Sequence, residues 1–148
     1  MSAEEKLSNF FVSCFYSILD AEELAMESIT NGKLTLKEIH LIEAVINAQK
    51  TNENNFSTVA KLLNITLGTL TTAYNKLEKK GYLHKVQDEN DKRIYYIVPT
   101  RLAELINEEH SAFHQKMIAG IVNKLPQKDI ENLTDALKAL SEFFNELL

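Results

Sequence analysis

One cysteine, two prolines, four glycines and no tryptophan occur among the 148 residues. The lone thiol, Cys14, excludes an intramolecular disulfide framework and suits a cytoplasmic protein. So few helix breakers leave room for long helices joined by short loops. No apolar run approaches the roughly 20 residues of a membrane span. The start, MSAEEKLSNF, is acidic rather than basic, so neither export nor a membrane partner is expected. Catalytic signatures are missing too. There is no nucleophile elbow with a Ser/His/Asp order, no phosphate-cradling glycine loop and no carboxylate pair in a recognisable setting. Neither an enzyme nor a resident cofactor is therefore expected.

What is present is ordinary for a globular protein: 45% hydrophobic and 25% charged residues. The length fits one domain, 1–148, with a full core. The charge is unevenly spread. Residues 56–101 hold eight Lys/Arg against four Asp/Glu, a net of +4, whereas the rest of the chain carries −9. A positive module in an acidic frame presents one face to a polyanion and repels it elsewhere.

That module reads as a helix, Ser57–Leu63, a turn at Asn64, and a second helix capped by Thr66 and stopped at Gly81. Val59, Ala60, Leu62 and Leu63 form the apolar face of the first. Leu70, Ala73, Tyr74 and Leu77, at spacings of three and four, form that of the second. The opposite face of the second helix is Gly68, Thr69, Thr71, Thr72, Asn75 and Lys76. Such short polar side chains reach base edges and phosphates in a major groove without obstruction. A solvated helix face looks the same in sequence, and the residues that follow separate the two readings. Tyr82–Val86 and Ile94–Val98 are strand-like and flank QDENDKR, a polar loop ending in Lys92 and Arg93. A helix-turn-helix with a charged hairpin is a winged helix, whose wing lays a cation in the adjacent minor groove.

The helix-turn-helix, the LEKKGYL run and the DENDKR wing together resemble the MarR family of bacterial repressors. Asp88, Asp91 and Arg93 match that family's Asp-x-x-Asp-x-Arg wing pattern. The resemblance implies that Arg93 enters the minor groove and that Asp91 orients it. Ala103 stands where the family often has glycine, which bears only on where the next helix begins. Within the family, LTLKEIHLIEAV, ITLGTLTTAYNKLEKKGYL and FHQKMIAGIVNKL are similar to the fatty-acid-biosynthesis repressors of the FabT type. That likeness implies long-chain acyl-acyl carrier protein as co-repressor.

Outside the module the chain is helical. Residues 3–30 carry Leu7, Phe10, Phe11, Cys14, Phe15, Ile18 and Leu19 on one stripe, with Cys14 expected as a small buried hydrophobe. Glu22, Glu23 and Glu27 read as solvated or facing a partner. Thr35 caps Leu36–Gln49, with Ile39, Ile42, Val45 and Ile46 inward. Thr100 caps a helix running to about Lys124. After Pro126 a last helix places Ile130, Leu133, Leu137, Leu140, Phe144 and Leu147 at alternating spacings of three and four, an a/d seam. The fold class is thus mainly α with a β-hairpin wing. The helices at 3–30 and 102–148 are expected to join two copies into a homodimer on a palindromic double-stranded operator.

Two effector constellations remain open. Phe10, Phe11, Phe15, Ile39, Phe113 and Met117 offer apolar surface for an acyl chain. Alternatively His40, His110 and His114, with Glu38, Glu108 and Glu109 nearby in sequence, offer a zinc site, since two histidines four apart share one helix face. Histidines at the edge of an amphipathic helix's core are ordinarily structural, and the FabT-type likeness implies that reading for all three. The DNA-contacting set is Thr66, Gly68, Thr69, Thr71, Thr72, Asn75, Lys76, Asp91, Lys92 and Arg93.

Overall fold

The structure, a computed structural model, describes residues 1–148. Six helices and one hairpin follow in order: α1 (Ala3–Thr30), α2 (Leu36–Gln49), α3 (Phe56–Leu62), α4 (Leu67–Lys79), β1 (Leu83–Gln87), β2 (Tyr95–Pro99), α5 (Arg101–Lys124) and α6 (Gln127–Leu147). The chain forms two compact units, Met1–Ser111 and Ala112–Leu148. The mainly α fold with an antiparallel wing is the class expected. The strands begin one residue later than the sequence suggests, and α3 one residue earlier.

Polar side chains set the starts of α1 to α4. Ser2 and Thr35 each make a reciprocal capping box with the glutamate three residues on, Glu5 and Glu38. Asn55 and Thr66 cap α3 and α4. Four turns use left-handed backbone, at Asn31–Gly32, Asn52, Asn64 and Gly81, with φ of 53° and 71°, 56°, 54° and 86°. Asparagine tolerates that region and glycine enters it without strain, so the breaks fall where the chain can make them.

In the first unit α2 is the central wall. Ile39, Leu41, Ile42, Val45 and Ala48 are buried, and the helix packs on α3 and β2. Leu70, Tyr74 and Leu77 bury the inner face of α4 against α3 and β1. The strands pair with Leu83 opposite Pro99 and Gln87 opposite Tyr95. A buried asparagine joins the loop before α3 to the wing. Asn54 Nδ2 donates to the Ile97 carbonyl at 2.9 Å, and Ile97 N donates to the Asn54 carbonyl at 2.8 Å.

Several expectations are corrected. Leu62 points outward, because α3 is only two turns long and Val59 and Ala60 alone fill the contact. Cys14 is exposed, not buried. It shares α1 with Leu7, Phe10, Phe15 and Ile18, all exposed in the single chain. Glu22 is not solvated: it is buried in α1 beside Met26. No expectation is overturned on α6, the helix of the a/d seam, which has no fully buried residue in the single chain.

Asn54→Ala should lower stability by about 1–3 kcal/mol, since the Ile97 carbonyl is left buried without its donor. Urea unfolding checks this, and an unchanged midpoint would show that the tie contributes nothing.

Candidate nucleic-acid interface

The outer face of α4 and the wing lie in the first unit. Gly68, Thr69, Thr71, Thr72, Asn75 and Lys76 are all exposed, as the helical spacing requires once Leu70, Tyr74 and Leu77 point inward. A Cβ built on Gly68 would meet no atom within 4 Å, and its backbone is ordinary helix. The fold therefore does not demand glycine there, and its effect is to leave open space in front of the helix.

Several hydroxyls of this face are engaged within the helix. Thr66 Oγ1 accepts from Thr69 N as the cap and donates to Thr69 Oγ1 at 2.8 Å. Thr71 Oγ1 donates to the Leu67 carbonyl at 2.9 Å, and Thr72 Oγ1 to that of Gly68 at 3.1 Å. Threonine in a helix commonly bonds back in this way. Their O–H protons are used within the helix, so these side chains offer lone pairs and methyls. Asn75, Lys76 and Thr69, whose hydroxyl only accepts from Thr66, are the exposed donors of that face.

The wing loop is built around two aspartates. Asp88 Oδ2 accepts from Asn90 N and Asp91 N at 3.0 and 2.8 Å, and Oδ1 accepts from the Tyr96 hydroxyl at 3.0 Å. The Asp91 amide and the Tyr96 hydroxyl hold the Asp88 carboxyl below its ordinary range. Asp91 grips Arg93 with both oxygens: Nε to Oδ1 and Nη2 to Oδ2, each 3.0 Å. That pairing lowers the Asp91 carboxyl and raises the guanidinium. A depressed carboxyl keeps its contribution above the ordinary aspartate range and loses it as pH falls through the lowered value, so the pairing persists at neutral pH. Arg93 still leaves 90% of its side chain exposed. A fork fixed at its base and open at its tip suits insertion between phosphates.

The remaining candidates differ widely in burial. Phe10, Phe11 and Phe15 stand exposed on α1, Ile39 is core at 1% exposure, and Phe113 and Met117 are half-buried on α5. The histidine neighbourhood has different carboxylates from those expected. Glu38 pairs with Lys80 at 3.1 Å and Glu108 with Arg101 at 3.4 Å. Partial burial opposes ionisation of Glu38, but the Thr35 amide and Lys80 hold its carboxyl below the usual range. It is Glu22 that meets the histidines: Oε1 lies 3.0 Å from His40 Nε2 and 2.6 Å from His110 Nε2. Glu43 Oε2 stands 2.9 Å from Nδ1 of His110, an ion-pair distance without hydrogen-bond direction. Sequence reasoning missed Glu22 because it lies 88 residues from His110. A glutamate on the edge of an apolar stripe was the available signal.

Arg93→Ala should weaken duplex binding by about 5- to 150-fold while leaving thermal unfolding unchanged, the range for losing one specific contact. Asn75→Ala should instead reduce the preference for operator over random DNA. Titration of both duplexes checks the pair, and equal losses on the two duplexes for Asn75→Ala would make it a phosphate contact.

The sequence pattern of the MarR family matches residues 34–95. The transcriptional regulator AdcR of Streptococcus pyogenes is 29% identical over 126 residues, covering 84% of this chain and 82% of that protein. Streptococcus pneumoniae FabT, solved in complex with DNA, superposes with a TM-score of 0.89 at 30% identity, over 98% of this chain and 99% of that one. A MepR–DNA complex from S. aureus, at 19% identity and a TM-score of 0.71 over 89% of this chain and 96% of that one, shares the fold. No helix here is long and apolar enough to cross a membrane. With a winged helix-turn-helix, an arginine-tipped wing and a near full-length likeness to FabT, the chain belongs to the MarR family of transcriptional regulators.

Proposed function

We propose that the chain is a sequence-specific repressor that binds a palindromic operator as a homodimer and controls fatty-acid-biosynthesis genes. Long-chain acyl-acyl carrier protein is its co-repressor. The observation that carries this reading is the likeness to FabT on DNA, which spans both compact units rather than the DNA-binding module alone.

Uncovered apolar surface supports the dimer. Phe10 is 72% exposed, Leu137 53% and Leu147 67%. Contiguous apolar faces of this kind mark association surfaces in soluble proteins. Two copies joined through α1 and α6 would bury them and set two recognition helices about one DNA turn, roughly 34 Å, apart. Leu137→Asp with Leu140→Asp should give a monomer in sedimentation, because a charge buried in such a seam is costly. A wild-type protein that is already monomeric at micromolar concentration would contradict the dimer.

For the co-repressor, the exposed Phe10 and Phe11 on α1 are candidate contacts of the acyl chain in this reading, and Ile39, a core residue, is not available to it. Each methylene removed from water contributes about 0.8 kcal/mol, so a partly buried chain suffices. The carrier is acidic and needs cations. Lys80 and Arg101 already hold carboxylates, which leaves Lys37 and Lys116, both exposed, as the better candidates. Ligand and DNA are coupled only if the chain prefers one arrangement of the modules.

One cluster favours a second reading, a zinc-responsive repressor. Glu22, His40 and His110 bring a ligand atom each within 4.8 Å of one another. Two imidazoles and a buried carboxylate are donors of the kind zinc takes. His114 follows one turn later on α5. Operator titration separates the readings. Acyl carrier protein with a long chain should tighten binding about 5- to 150-fold in the presence of chelator, whereas short-chain or unloaded carrier should not. Tightening by zinc alone, lost in His110→Ala, would favour the metal.

A further inference from the structure

Between the wing and the helix-turn-helix runs an open cleft of about 510 Å³, bordered by Asn55, Ser57, Leu67, Lys85, Arg93 and Tyr95 among others. A smaller one of about 360 Å³ lies on the other side of α4, bordered by Thr35, Glu38, Thr69, Thr72 and Lys76. The first takes Leu67 and Thr71 from α4, and the second takes Thr69, Thr72 and Lys76. These sets occupy opposite edges of the exposed helix face. A helix in a major groove has one sugar-phosphate backbone along each edge. The two clefts therefore correspond to the two strands.

The smaller cleft has Lys76 as its cation. The larger has Lys85, which lies on β1 opposite Ile97, outside the recognition helix and outside the wing tip. Its ammonium stands 5.1 Å from the ring centroid of Tyr95 and 5.9 Å from that of Tyr74. Lys80, Arg93 and Arg101 each hold a carboxylate, whereas Lys85 is in no ion pair. Two aromatic faces steady a flexible side chain without neutralising it, which lowers the entropy lost when it meets an anion. Ser57, exposed at the first turn of α3, brings a hydroxyl donor to the same cleft.

We propose that this cleft seats a backbone phosphate of one DNA strand, held by the Lys85 ammonium and the Ser57 hydroxyl. The contact is blind to sequence, and with Lys76 on the far edge it fixes how deeply the recognition helix enters the groove. The inference rests on the DNA-binding reading and adds to it a residue from neither recognition helix nor wing tip.

A labelled random-sequence duplex is the probe, titrated over a range of KCl concentrations. Each neutralised phosphate contributes a slope of about −0.9 to log K against log salt. Lys85→Gln should make the slope shallower by about that amount for each bound module, and should lower operator and random affinity by the same factor. Lys85→Arg should restore the slope. Lys128→Gln, an exposed cation at the start of α6, should leave it alone. A wild-type slope in Lys85→Gln overturns the phosphate seat while the DNA-binding reading stands. Loss of operator affinity alone would make Lys85 a base reader, which also overturns it. If the wild-type protein shows no salt-dependent duplex binding, the DNA-binding reading falls and the inference with it.

Discussion

A carboxylate buried in α1 meets two imidazoles, and much of the first unit follows from that meeting. Glu22 is 5% exposed, too deep for an isolated charge. It accepts that position because His40 from α2 and His110 from α5 both turn Nε2 toward one oxygen. Three helices distant in sequence are fixed at one point. A buried hydrogen-bonded cluster adds little net stability, but removing one partner leaves the others unsatisfied and is expensive. The cluster therefore specifies which helices meet more than it strengthens their meeting. α2 carries that specification onward, since its other contacts are α3 and β2 of the winged module.

The winged module was the most legible part of the chain. Local chemistry determines it: caps at Asn55 and Thr66, a left-handed Asn64, a glycine stop and an Asp-x-x-Asp-x-Arg loop all act over four or five residues. Burial of Leu70, Tyr74 and Leu77 followed from their spacing. Spacing gives the direction of the threonine side chains and not their hydrogen bonds. Thr71 and Thr72 face outward as expected, yet each satisfies a carbonyl one turn back.

The frame was legible in its helices and illegible in its contacts. An apolar stripe states that a face seeks cover without saying what covers it. Cys14 illustrates the limit: its place among Phe10, Phe11 and Phe15 suggests a core residue, and the single chain leaves it and those three rings exposed. Glu22 shows the converse. Polar residues downstream of a stripe ordinarily mark solvent, and only the distant arrival of His110 makes this one a core residue.

The turn after the recognition helix joins more than two elements. Tyr82 N donates back to the Leu77 carbonyl, closing α4 at Gly81. Thr100, immediately before α5, donates its hydroxyl to the Gly81 carbonyl at 2.7 Å, and its amide donates to that of Tyr82 at 3.0 Å. The end of the recognition helix, the first strand of the wing and the root of α5 thus share one knot of backbone, with no slack residue between them. In mechanical terms the junction is a clamped joint rather than a hinge. A tilt of α5 at its root turns helix and wing together, as one handle turns two blades of the same tool.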